Sequence, residues 1–153
     1  MSHADETDAR PASLSETIKS PGAALREPCL YDLVGGGEGL RRLVETFYDI
    51  VEFEPEGRIL HTLHLRGHGV AHSRIEQLNF LSGFLGGPRL YAQKHGHSNV
   101  REMHEHVEIN VEAKDAWLSC MAIAIDRVGL DVAVKARLMG PFTRVATMLV
   151  NRE

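Results

Sequence analysis

Apolar residues recur at Leu40, Leu43, Val44, Phe47 and Val51, the spacing of one helical face, immediately after the glycine run Gly35-Gly36-Gly37. A helix with one buried stripe is expected there. Pro55 marks a short second helix ending near Leu60, and the stretch from His61 to Gly69, with Gly67 and Gly69 in it, reads as a connection. Ile75, Leu78, Leu81 and Leu85 form one stripe of a helix from about Val70 to Leu85, and Ser73, Gln77, Phe80 and Phe84 form a second stripe beside it. Gly86-Gly87-Pro88 stops this helix, the glycine by accepting a left-handed cap and the proline by lacking the N–H that would carry the ladder on.

Arg89 to Ser98 is poor in periodic apolar residues and contains Gly96, so it is read as loop, followed by a short helix from Asn99 to Glu105. A long helix follows from about Glu112 to Val128, with Trp117, Cys120, Met121, Ala124, Ile125 and Val128 on one face. Gly129 ends it, and Asp131 is placed to cap a last helix that turns Val134, Leu138, Phe142, Val145 and Leu149 inward and bends at Pro141. No alternating pattern is long enough for a strand, and no segment repeats. The fold class is all-α.

Composition narrows the picture. The chain has 153 residues, 43% of them hydrophobic and 25% charged, with a formal net charge of -4, which suits one folded domain with a core large enough to enclose a cofactor. Lys and Arg are scattered rather than blocked, so neither nucleic acid nor an anionic membrane surface is an expected partner. No run approaches the roughly eighteen apolar residues of a membrane helix. Residues 1–28, with Pro11, Pro21 and Pro28, read as a largely flexible extension with at most a helical turn near Ser15 to Ser20, leaving 29–153 as the folded domain. That extension lacks the apolar run of a secretory signal, and with only Cys29 and Cys120 there is no disulfide framework, so a cytoplasmic location is expected.

Nine histidines raise the question of a metal. Eight of them fall in three groups: His61, His64, His68 and His72; His95 and His97; His104 and His106. The first group would share one face if that stretch were helical, but Gly67 and Gly69 flank His68, and no Cys or carboxylate accompanies the group at zinc-ligand spacing. Loop or surface histidines are the plainer account. Tyr48, beside Phe47 on an apolar face, can be a core tyrosine with its hydroxyl on a carbonyl, and Trp117 can satisfy its N–H in the same way. Gln77, one turn from Ser73 on a semi-buried stripe, asks more firmly for a polar-lined cavity.

Taken in order, the chain resembles the group II truncated haemoglobins. The residues that carry the resemblance run from Tyr31 to Val34 into Gly35-Gly36 and Glu38-Gly39-Leu40-Arg41-Arg42-Leu43-Val44, then Phe47-Tyr48-Asp49. They continue through Phe80-Leu81-Ser82-Gly83-Phe84-Leu85-Gly86-Gly87-Pro88, Tyr91, His95-Gly96-His97, Arg101 and His104, to Asp115-Ala116-Trp117-Leu118 and Cys120-Met121. About residues 30 to 150 are covered. The resemblance implies a two-over-two helical sandwich around haem b, with His104 as the proximal iron ligand, Tyr48 as the distal tyrosine and Trp117 as the tryptophan that bonds the bound ligand. Gln77 and Ser73 fall at two distal positions that vary in the family, the first a further donor and the second too small to gate or ligate the iron. His64 takes the corner beside the haem, where the family shows Tyr, His or Phe. Phe47, Phe80 and Phe84 would contact the cofactor, and Tyr91 and Arg101 its propionates.

The chain departs from the family after the proximal histidine. Many members carry a Pro-Phe-Pro element there, whereas His104 is followed by Glu105-His106-Val107-Glu108-Ile109, which removes an aromatic from that wall. His106 is a rival for the iron, but two residues are more than half a helical turn, so both imidazoles are not expected to face the same way. The implied function is reversible binding of O₂, NO, CO or peroxide, with distal donors that favour retention and NO or peroxide chemistry over transport. Turnover would need an external electron donor, and a homodimer is compatible with the family. The alternative is a non-haem helical protein that binds zinc through its histidine clusters.

Overall fold

A computed structural model of the chain describes residues 28–152. The expected flexible arm and the helical turn near Ser15 to Ser20 lie outside the described residues, apart from Pro28. Eight α-helices occur among the described residues: α1 (Leu30–Leu33), α2 (Gly36–Phe53), α3 (Arg58–Arg66), α4 (Val70–Phe84), α5 (Leu90–His95), α6 (Val100–His104), α7 (Val111–Arg127) and α8 (Val132–Leu149). A 3₁₀ turn, Pro55–Gly57, joins α2 to α3. No strand is present among these residues, in agreement with the all-α expectation.

The periodic stripe of α2 becomes the centre of the core. Leu40, Leu43, Val44, Phe47, Ile50 and Val51 are all buried there, and they meet Cys120, Met121, Ala124 and Ile125 of α7 and Leu138 and Phe142 of α8. Each large apolar side chain so removed from water contributes roughly 1.5–3 kcal/mol. The helix can begin where it does because a Cβ at Gly39 would stand 1.9 Å from the Val34 carbonyl oxygen, so the turn from α1 closes only on glycine. α2 packs on α4 and α7, and α8 packs on α7, which gives two helix pairs laid one over the other.

The stops are those that glycine chemistry requires. Gly86 takes φ 99°, and the N–H groups of Gly86 and Gly87 close on the carbonyls of Gly83 and Ser82, satisfying the last turn of α4. Gly129 at φ 86° does the same for α7, with Gly129 and Leu130 bonding back to Asp126 and Ile125. Asp131 accepts from the Val134 N–H at 2.9 Å and caps α8, as its position in the sequence suggests. α8 continues through Pro141 to Leu149.

Three expectations are corrected. His61 to Gly69 is not a connection: α3 extends to Arg66 and carries His61 and His64, because no helix breaker precedes Gly67 and Leu60 and Leu63 supply its inward contacts. Arg89 to Ser98 is not all loop: Leu90–His95 is helical and packs against α4, too short to show a period in the sequence, and Gly96 at φ 83° ends it. Ile75 is not on an inward stripe of α4 but 57% exposed. That helix buries Leu81 and Ser82, turns Ser73, Gln77, Phe80 and Phe84 to a cavity, and leaves Ile75 outside both.

A pin that the sequence reading missed fixes α4 over α2. Arg74 reaches across to Glu45, to Asp49 at 2.9 Å and to Glu52 at 2.6 Å, carboxylates spaced along one face of α2. Those three carboxylates hold the guanidinium pKa above its usual range despite partial desolvation. Arg74 is adjacent to Ser73, so the pin also sets how Ser73 meets Tyr48.

Candidate functional site

A cavity of about 540 Å³ opens between α3, α4, α5, α6, α7 and α8. Much of its wall is aromatic and aliphatic. Phe80 stacks on Phe84 with ring centroids 5.5 Å apart, Phe84 on Phe142 at 6.0 Å, and Trp117 meets Phe142 edge-on at 5.4 Å. Phe47 lies behind this wall, 5.3 Å from Trp117, in the core rather than on the cavity lining.

His104 closes α6 at one side of the cavity. Asn99 caps this five-residue helix by accepting from the Glu102 N–H at 3.1 Å. His104 Nδ1 lies 2.8 Å from the Val100 carbonyl. A carbonyl only accepts, so Nδ1 carries the hydrogen and Nε2 keeps its lone pair. Burial pushes the imidazole pKa below its ordinary value and keeps the ring neutral. This is the tautomer of a metal-binding histidine whose second nitrogen is oriented by backbone.

His64, on α3, has the same arrangement: Nδ1 donates to the Leu60 carbonyl at 2.7 Å, and burial lowers its pKa against the smaller opposing effect of that hydrogen bond. Its Nε2 is therefore an acceptor on the same cavity. Tyr48 stands edge-on to it with ring centroids 5.5 Å apart, only 2% exposed. Burial drives the phenol pKa well above its usual value, against smaller opposing effects from Arg74 and the Ser73 hydroxyl, so the Tyr48 O–H stays a donor.

The structure brings His104, His64, Tyr48, Ser73, Gln77, Trp117, Phe80, Phe84 and Tyr91 together on one cavity. Arg101 and Phe47 are not on its lining. His106 is on it, contrary to the helical-spacing expectation, because α6 ends at His104 and the chain leaves the helix in a turn closed by Val107 N–H on the His104 carbonyl. Glu76 and His95 also line it. Glu76 was not singled out from the sequence, although it sits beside Gln77 on α4; His95 was named there as a candidate metal ligand with His97 and not as a residue of this cavity. His68 approaches His72 and His106 with ring centroids 4.9 and 5.6 Å apart, yet no three His, Cys, Asp or Glu among the described residues are placed to hold a metal ion. The zinc alternative gains no support.

A largely apolar cavity walled by stacked rings, with the neutral imidazoles of His104 and His64 each offering a free Nε2, fits a planar macrocycle with a metal centre. The crossed helix pairs around it define a truncated globin. The comparisons agree. A model of the bacterial-like globin family matches residues 29–151. The group 2 truncated haemoglobin YjbI of Bacillus subtilis is 38% identical over 117 residues, covering 76% of this chain and 85% of that protein. Among solved structures, the group II 2-on-2 haemoglobin of Agrobacterium tumefaciens superposes with a TM-score of 0.77 at 29% identity, over 84% of this chain and 98% of that one. The truncated oxygen-avid haemoglobin of Bacillus subtilis gives 0.72 at 36% identity, over 81% of this chain and all of that one (100%). The chain belongs to the bacterial-like globins and, within them, to the group II truncated haemoglobins. Membership implies haem binding and diatomic gases as ligands. No helix among the described residues is long and apolar enough to cross a membrane.

Proposed function

We propose that the domain of residues 29–151 holds haem b in this cavity through His104 and retains O₂ and related ligands opposite it. The observation that carries this reading is the His104 tautomer: Nδ1–H tied to the Val100 carbonyl, Nε2 free, on the cavity that also carries the Tyr48 hydroxyl. Bound haem supplies an iron centre with one coordination position for a diatomic ligand or peroxide. Phe80, Phe84 and Phe142 would line the haem site and exclude water from it, and Tyr91 would offer it a hydroxyl.

The distal residues act on whatever occupies that position. Tyr48 O–H, Gln77 amide and Trp117 N–H are donors, and they favour a ligand that gathers negative charge. Each such bond in a desolvated pocket contributes on the order of 1–2 kcal/mol, so two together slow ligand escape by about one to three powers of ten. Retention of that size suits chemistry on a held ligand, such as NO oxidation or peroxide reduction with an external electron donor, rather than transport. His64 has a different part: its Nε2 is unprotonated, so it accepts a hydrogen bond from a ligand that carries a proton, such as hydrogen peroxide. Both cysteines are free thiols, as a reducing cytoplasm would keep them. Stopped-flow O₂ dissociation tests the reading: Tyr48→Phe is expected to release O₂ about five- to thirtyfold faster, and an unchanged rate would remove the retention claim.

A further inference from the structure

Among the charged residues on the cavity, which include Glu102 and Lys114, Glu76 is the one that draws donors from a facing helix and that the ligand chemistry does not use. Glu76, on α4, lines the cavity with its side chain only 16% exposed, and its carboxylate gathers donors from the facing helix α5. His95 Nε2–H donates to it at 2.8 Å, Lys94 Nζ at 3.3 Å, and Asn79 Nδ2 of its own helix at 3.2 Å. Tyr91 packs on the His95 ring with centroids 4.2 Å apart and lines the same stretch of wall. An ammonium and an imidazole N–H converging on one carboxylate at a cavity wall form a carboxylate receptor. Elsewhere the wall is mostly apolar, and a haem presents two carboxylates at one edge of an otherwise apolar disc.

We propose that Lys94 and His95 bind a propionate of the haem, and that Glu76 is the built-in competitor that holds this receptor closed when no propionate is present. The proposal rests on the haem reading above. A second carboxylate entering the cluster makes Glu76 a repulsive neighbour unless it gives up one or both donors, so Glu76 lowers haem affinity while Lys94 and His95 raise it. Glu76 also joins α4 to α5, so the exchange loosens the link between the two helices that border the cavity on this side. Haem retention is then set by a competition within the protein and not by His104 alone.

The test is haem loss from the loaded full-length protein to an excess of a haem-scavenging apoglobin, run with protohaem and with its dimethyl ester, which lacks the propionate charge. With protohaem, Lys94→Met is expected to speed loss about fivefold and Glu76→Gln to slow it by about the same factor, the size of one partly exposed charge-assisted hydrogen bond. With the dimethyl ester both effects should disappear. Thermal unfolding of each haem-free variant shows whether the fold is kept. Equal effects on both porphyrins, or no effect with protohaem, would overturn the latch while leaving the haem reading intact. A chain that takes up neither porphyrin would overturn the haem reading and the latch together.

Discussion

The two sides of the cavity are built differently. The Tyr48 side rests on α2, α4 and α7, helices of 15 to 18 residues whose inner faces form the core, with Arg74 pinning α4 to α2. The His104 side rests on α5 and α6, of six and five residues, neither of which contains a fully buried side chain. Short helices of this kind are marginal alone and depend on what they pack against. The Tyr48 side is therefore fixed by the protein itself, while the His104 side has less packing of its own to hold it. On the proposed haem reading, the ligand pocket would be preorganised and the cofactor side adaptable.

Substitutions on the two sides should separate accordingly. Phe47→Ala empties a fully buried site between Tyr48 and Trp117 and is expected to cost about 3–5 kcal/mol in chemical denaturation of the haem-free chain. Met103→Ala on α6 should cost less than about 1 kcal/mol by the same measurement. Similar costs at both sites would erase the contrast.

Acid sharpens it next. Burial holds the His64 pKa below its ordinary 6.5, so as pH falls through that value the unfolded chain binds a proton that the folded chain refuses. Stability is therefore complete above about 6.5 and falls as pH drops toward the folded-state value. Glu76, whose pKa its hydrogen-bond donors lower, adds a loss in the carboxylate range. The haem-free protein should melt at a lower temperature at pH 5 than at pH 7.5, and His64→Phe should shrink that difference. The smallest effect is expected from Asn99→Ala, which removes the α6 cap: about 1 kcal/mol or less in haem-free stability, but a measurable rise in the haem-loss rate. An unchanged haem-loss rate would mean that α6 is held by something other than its own cap.

The long helices were legible in the sequence because their stripes repeat over several turns, and α4 and α7 stop at glycines whose positive φ leaves little choice. Tyr48, Gln77, Trp117 and His104 could be gathered by resemblance, and the cavity does gather them. What was not legible depends on contacts between segments. α3 and α5 carry too few apolar residues to show a period, and Leu60, Leu63 and Tyr91 pack on the core or the cavity without making a stripe. His106 reaches the cavity because α6 stops, which spacing cannot foretell. The tautomers of His64 and His104 depend on carbonyls four residues back and follow only once both stretches are helical. Glu76, Lys94 and His95 meet across two helices, one of them read as loop.

The central claim is that the free Nε2 of His104 holds the haem. Haem titration of the wild type and of His104→Gly, each with and without free imidazole, tests it most directly. The account predicts an intense violet absorption band on stoichiometric uptake by the wild type, its loss in the variant, and its return when imidazole fills the vacated space. A glycine variant that takes up haem with the wild-type spectrum and affinity in the absence of imidazole would contradict it and transfer the role to His106 or His64.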